Sequence, residues 1–220
     1  MGDLAPNPAT RWERLDTGAV ADLLARASVR WWLAGGTAFD QWMGAPLRER
    51  TKSTVSTTVA SIGQLVAALP AGVTAWVRDG EQLIAWADLP DDADYLAVRL
   101  FDVERGAWVL QVNVEDATED RWVYRRDARL QLPWDRAVLD VGGLPTGAPE
   151  VQLVWKALRP KPEDEADKDI VLPALSEEAR AWWERAILSI HPHSTWSIHV
   201  RSPLAPAKAS WNRSTRRPGT

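Results

Sequence analysis

Between residues 53 and 124 the chain is written mostly in a period of two, and this constrains its fold more than any other feature. Residues 53–60 alternate, with Val55, Thr57 and Val59 on one face and Thr54, Ser56 and Thr58 on the other, as a half-buried strand requires. Further strands are predicted at 73–77, 82–86, 95–101, 108–114 and 122–124, separated by Asp, Gly and Pro turn signals. In the segment 108–114, Trp108, Leu110, Val112 and Val114 share one face, and Gln111 and Asn113 share the other. So many short strands need a sheet, and the helical segments on either side of them must cover it.

Ahead of the strands, Asp16 or Thr17 is placed to cap a helix whose apolar stripe is Val20, Leu23, Leu24 and Ala27. Residues 31–34 read as a short buried strand, broken by Gly35-Gly36. A helix over 37–43 starts straight out of that turn and ends at Gly44. Residues 62–69 form a short helix closed by Pro70. After a loop through Pro133 and Gly142-Gly143, the remainder is helical. Pro149 opens one helix carrying Val151, Leu153, Val154 and Leu158, and Ser176 caps another that runs to about Ile190. The charged, Pro-punctuated residues 159–169 are expected to be a solvated connection. The expected organisation is a core over residues 1–148, a helical C-terminal segment over 149–200 and a basic tail over 201–220.

Composition narrows the setting. With no cysteine the chain has no disulfide or thiolate metal site, which fits a reducing cytoplasm. No segment approaches the roughly 20 apolar residues that cross a bilayer, and residues 1–7 lack a basic start followed by an apolar stretch. The expectation is a cytoplasmic protein without a membrane partner. The net charge of −4 hides a tail with Arg201, Lys208, Arg213, Arg216 and Arg217 and no acid, a charge balance suited to nucleic acid. That tail has little to bury, so a solvated, disordered terminus is expected and nucleic acid is not an expected partner. Fourteen Trp against two Phe and two Tyr place most Trp in the core, with some left to line an apolar ligand pocket.

One ordered series of motifs carries a family likeness. It begins with Trp32-Leu33-Ala34-Gly35-Gly36-Thr37-Ala38-Phe39-Asp40 and continues in Trp42, Gly44 and Arg50-Thr51-Lys52. It then takes in Asp120-Arg121-Trp122-Val123-Tyr124-Arg125-Arg126-Asp127 and Ala148-Pro149-Glu150-Val151-Gln152-Leu153, followed by Lys156, Arg159-Pro160-Lys161 and Asp164-Glu165-Ala166-Asp167. Over roughly residues 30–200 this series resembles the nucleotidyltransferase superfamily in its aminoglycoside adenylyltransferase-like branch, which usually has Trp where Thr37 sits. The resemblance implies an α+β fold: a mixed sheet flanked by helices, followed by a helical C-terminal segment. It also implies an Asp-x-Asp pair on the second strand and a third Asp on a neighbouring strand, holding magnesium against nucleotide phosphates. The matching positions here are Thr54, Ser56 and Gln111, all neutral.

Magnesium is usually held by at least one carboxylate, so hydroxyl and amide groups are poor substitutes for three negative charges. The expectation is therefore no metal site and no cofactor, with Thr54, Ser56 and Asn113 joining Gly35, Gly36 and Thr37 as ligand-binding residues. Gln111 is the candidate catalytic group, with Asp40 and Lys156 as titrating participants. The expected function is a metal- and nucleotide-independent small-molecule enzyme of cyclase or isomerase type in specialised metabolism, acting on an uncharged, partly apolar molecule. The alternatives are a pseudoenzyme that binds a ligand or protein, and an atypical aminoglycoside-type nucleotidyltransferase. Plainer roles stand beside these: Asp40 bracing the Gly-Gly turn, Lys156 snorkelling on a helix surface, and His191, His193 and His199 ending a helix. Glu115 is expected to join the Gln111 face only across a bulge.

Overall fold

The computed structural model describes residues 6–202. The chain forms two compact units, Met1–Pro149 and Glu150–Thr220. Along the first unit run α1 (Thr17–Leu24), β1 (Trp31–Leu33), α2 (Gly35–Met43), β2 (Ser53–Thr58), α3 (Val59–Ala67), β3 (Val73–Asp79) and β4 (Gln82–Ala85). A 3-10 turn at Trp86–Asp88 leads to β5 (Ala97–Asp102), β6 (Ala107–Ala117), β7 (Arg121–Val123), β8 (Gln131–Pro133), α4 (Trp134–Ala137), β9 (Val138–Val141) and β10 (Leu144–Gly147). The sheet runs β4-β3-β5-β6-β2-β1-β10-β9, with β7 and β8 continuing from β6. It is mixed, because β2 lies parallel to β6 and antiparallel to β1, while β1 lies parallel to β10. This is the α+β architecture that the motif series implies.

The alternation in the sequence sorts residues onto two faces. Val55, Val112, Val98 and Val77 stand in register across β2, β6, β5 and β3, and Leu110, Leu100 and Ala75 form the next row. Both rows belong to one apolar cluster with Val20 and Leu24 of α1 and Ile62 and Leu65 of α3, so this face carries the core of the unit. Asp16 caps α1 as expected, its carboxylate accepting from the Ala19 amide at 2.7 Å. Gly44 ends α2 at φ 73°, a left-handed conformation that favours glycine.

Three features of this unit depart from the expectation. All six residues of β2 are buried rather than half of them, because the strand lies mid-sheet with both faces covered. Val59 opens α3 instead of ending the strand, so the helix begins at Val59 rather than at residue 62. The segment after Pro133 is not a loop. It holds α4 and a hairpin in which Val141 faces Leu144 and Gly142 and Gly143 form the turn, at φ 63° and 80°. Two successive positive φ values suit glycine and match the twist of the flanking strands. Leu33 faces Thr146, which adds the hairpin to the sheet beyond β1.

The second unit is built from α5 (Pro149–Ala157), α6 (Pro162–Ala174), α7 (Glu177–Ile190) and α8 (Thr195–Arg201). Ser176 caps α7 through the Ala179 amide, as expected. Residues 159–169 were expected to be a solvated connection, but α6 runs through most of them. Pro162 stands in its first turn with Glu163, Asp164 and Glu165, where a fixed φ and negative charge both favour a helix start. After α7, the Ser197 hydroxyl reaches the carbonyls of Ile187 and His191 and ties α8 to the end of α7. Within the unit Trp183 packs on Trp196, ring centres 6.2 Å apart. Apart from Arg201 and Ser202, the expected basic tail lies outside the described residues. No helix among the described residues is long and apolar enough to cross a membrane.

Candidate functional site

The turn between β1 and α2 is laced to β2 by backbone and side chain. The Ala34 amide donates to the Thr54 carbonyl at 3.0 Å, and the Thr54 amide donates to Thr37 Oγ1 at 3.0 Å. Gly35 takes φ 55° at the start of α2, beside the Thr54 side chain. Gly36 has a different neighbour. An added Cβ there would meet the Arg50 guanidinium at 2.2 Å, so Arg50 lies against this glycine.

Arg50 reaches Asp40 through two bonds of 2.8 Å, Nε to Oδ2 and Nη2 to Oδ1. Arg14 Nη2 and the Leu47 amide donate to the same carboxylate at 3.0 Å each. With four donors and only 7% exposure, Asp40 is a brace between α2 and the segment leading into β2.

The opposite face of the sheet carries the other expected site residues. Thr54 stands across from Gln111 and Ser56 across from Asn113, so the four meet on adjacent strands. Lys52 Nζ donates to Gln111 Oε1 at 2.6 Å, and Gln111 Nε2 donates to Asn113 Oδ1 at 2.7 Å. Ser56 is 0% exposed, and its hydroxyl has no hydrogen-bond partner among the described residues. Next along the row, Arg99 of β5 faces Gln111. Lys52 Nζ and Arg99 Cζ lie 5.5 and 5.8 Å from the centre of the Trp12 ring. Burial, and then the charge of Arg78, hold the Arg99 guanidinium below its ordinary pKa.

Glu115 shares this face without any bulge. The register runs unbroken from Ser53 and Leu110 to Thr58 and Glu115, and residues 111, 113 and 115 alternate onto one side. Glu115 is buried and accepts a hydrogen bond from the Trp122 indole N–H. Lys156 belongs to the second unit. There its ammonium pairs with Asp164 and lies 3.5 Å from Asp167 Oδ2. The carbonyl of His191 accepts from Ser194 and Ser197 in the turn into α8. Among the described residues no three His, Cys, Asp or Glu side chains are grouped to hold a metal.

No family model and no curated protein matches the chain. Among solved structures, it is similar to the lincosamide antibiotic adenylyltransferase LnuA in its lincomycin-bound form, at 16% identity and a TM-score of 0.51, over 73% of this chain and 96% of that one. The chain has a nucleotidyltransferase-like fold. The antibiotic-resistance factor ANT(2'')-Ia matches 91% of this chain and 98% of its own, at 12% identity and a TM-score of 0.45. A nucleotidyltransferase-like protein from Paracoccidioides brasiliensis matches 84% of this chain and 89% of its own, at 16% identity and a TM-score of 0.38. On the nucleotidyltransferase-like fold of this chain, β2 and its parallel neighbour β6 bring together Thr54, Ser56, Gln111 and Asn113. Sequence reasoning missed Arg99 and the bond from Lys52. The only signal for Arg99 was its place between Val98 and Leu100, which turns it to the face opposite the core.

Proposed function

We propose that the Thr54–Gln111–Asn113 face binds a small organic molecule and works without magnesium or a nucleotide. The observation that carries this reading is the Lys52 ammonium, 2.6 Å from the amide oxygen of Gln111, the position to which the family resemblance assigns the third carboxylate. Magnesium needs oxygen ligands at about 2.0–2.1 Å and is usually held through carboxylates. Here the amide oxygen already accepts from a cation, and Arg99 adds a second positive charge on the same row. These residues do not fit the metal of the fold family. The unpartnered Ser56 hydroxyl supports a polar ligand nearby, although the described conformation buries it completely. LnuA, matched with lincomycin bound, supports a cleft for a small molecule on this fold.

The chemistry this face favours is hydrogen bonding to charge that develops in a substrate. Each well-placed donor is worth a few kcal/mol in such a role, and ring closure or isomerisation needs no external group. Lys52 and the Gln111 amide are the donors placed for it. Asp40 and Lys156 take no part in proton transfer in this reading, since both are engaged in ion pairs.

Two measurements test the proposal. Calorimetry with ATP and magnesium should show no micromolar binding; a micromolar dissociation constant, about −8 kcal/mol, would restore a nucleotidyltransferase reading. Mass spectrometry of compounds released on denaturing the purified protein should find a small molecule that a folded Thr54→Val, Gln111→Leu variant fails to retain. Equal retention by both proteins would move the function to another face.

A further inference from the structure

The sheet face carries more charge than its four neutral side chains suggest. Thr54, Gln111 and Arg99 form one row across three adjacent strands, and Lys52 leans onto the middle of that row through Gln111. Among the described residues Arg99 has no carboxylate partner; its cross-strand neighbours are Gln111 and Trp76, and its guanidinium approaches the Trp12 ring that Lys52 also approaches. Arg125 and Arg105 do pair with acids, Arg125 with Asp94 and Arg105 with Glu13 and Asp102, whereas Arg78 of β3, whose charge also acts on Arg99, donates to the Gly80 carbonyl. The acid on the same face, Glu115, stands two positions along β6 beyond Asn113 and holds the Trp122 indole.

Resting on the small-molecule reading of this face, we infer that the molecule it takes carries an oxyanion, a carboxylate or a phosphate, received by Arg99 with Lys52 beside it and Trp12 against its apolar part. A guanidinium presents a planar fork of donors that matches both oxyanions, and it sheds water more readily than an ammonium does. Lys52 and Arg99 both approach one aromatic ring, so an anion bound beside that ring would lie close to two positive charges. Burial does not remove the charge on Arg99, because arginine stays protonated in proteins. The field over this face is therefore opposite in sign to the one a magnesium site requires. An uncharged ligand follows only from the four neutral side chains, because the pairing of Arg99 with Gln111 is not visible in any local motif.

The test titrates the full chain with benzoate, phenyl phosphate and the neutral isostere benzamide at constant ionic strength, following binding by calorimetry or ligand-observed NMR. Benzoate or phenyl phosphate should bind at least about tenfold more tightly than benzamide, the worth of one charge-assisted hydrogen bond. Arg99→Gln should remove that advantage by weakening the anions far more than benzamide, while Arg99→Lys restores part of it. Preference for benzoate would identify an organic acid, and preference for phenyl phosphate a phosphate ester. The inference is overturned if no probe binds at millimolar concentration, if benzamide binds as tightly as the anions, or if Arg99→Gln binds them like wild type. In the latter two cases the Thr54→Val, Gln111→Leu variant separates the outcomes: loss of benzamide binding keeps the small-molecule reading and discards only the anion.

Discussion

The guanidinium of Arg50 lies against the backbone of Gly36, where an added Cβ would come within 2.2 Å of Nη1 and 2.4 Å of Cζ. Arg50 cannot swing away freely, because two bonds hold it to Asp40. Gly36→Ala should therefore break a buried ion pair and cost about 2–4 kcal/mol of stability, read as a lower urea midpoint at unchanged slope. The double variant with Arg50→Ala supplies the control. With the guanidinium gone, the same Gly36→Ala change should cost much less, and equal costs in both backgrounds would show that this contact is not why glycine stands there.

Thr37 makes a second link in the same turn by accepting from the Thr54 amide. Thr37→Val keeps the shape and removes the acceptor, leaving a buried N–H without a partner at a cost of about 1–3 kcal/mol. Thr37→Ser should recover most of that loss. Hydrogen exchange gives the local reading: the Thr54 amide should exchange faster in the Val variant, and unchanged protection there would refute the link.

Much of this architecture is legible in the sequence because it is set by local rules. Alternation placed Val55, Val112 and Thr54 on their faces, and capping chemistry placed Asp16, Gly44 and Ser176. The β9–β10 hairpin escaped because its four-residue strands include Asp140 and Pro145 and do not alternate cleanly, although Gly142-Gly143 is a two-residue turn signal. Helix α6 escaped because its charged first turn looks like a solvated loop, whereas acids at a helix start are stabilising. Glu115 is a matter of counting, since a residue four along a strand returns to the same face. The candidate site is less legible. Its neutral floor follows from strand spacing, but Arg99 reaches it only through strand pairing, which no short window contains.

Tyr124 is fully buried, and its hydroxyl is held well above the ordinary tyrosine range, chiefly by desolvation, with Arg126 opposing and Glu115 and Asp127 adding to the rise. A tyrosine is neutral when protonated, so a raised folded-state pKa favours the native protein below the unfolded value and is lost as pH rises beyond it. Stability should therefore fall above about pH 10 with a contribution approaching 1.4 kcal/mol per pH unit from this residue. Tyr95 is shifted the same way by burial and adds to the background. The difference between wild type and Tyr124→Phe in denaturant titrations isolates the Tyr124 share. Identical pH slopes in the two proteins would mean that the hydroxyl titrates normally.

In the second unit the Lys156 ammonium pairs with Asp164 and lies near Asp167, whose side chain is 0% exposed. The same residue could have been a snorkelling surface lysine, and the two arrangements differ in magnitude. A surface lysine replaced by Met changes stability by at most about 0.5 kcal/mol. Removing the cation from a buried cluster takes the shared charge partner from two carboxylates, at about 3–5 kcal/mol. Lys156→Met should fall in the second range when unfolding is followed by denaturant. Adding Asp167→Asn to that variant should recover part of the loss, because the amide no longer carries the charge the lysine balanced, whereas Asp167→Asn in wild type should be destabilising. A cost below about 1 kcal/mol for Lys156→Met, or simple additivity in the double variant, would show that the three side chains do not act as one buried cluster.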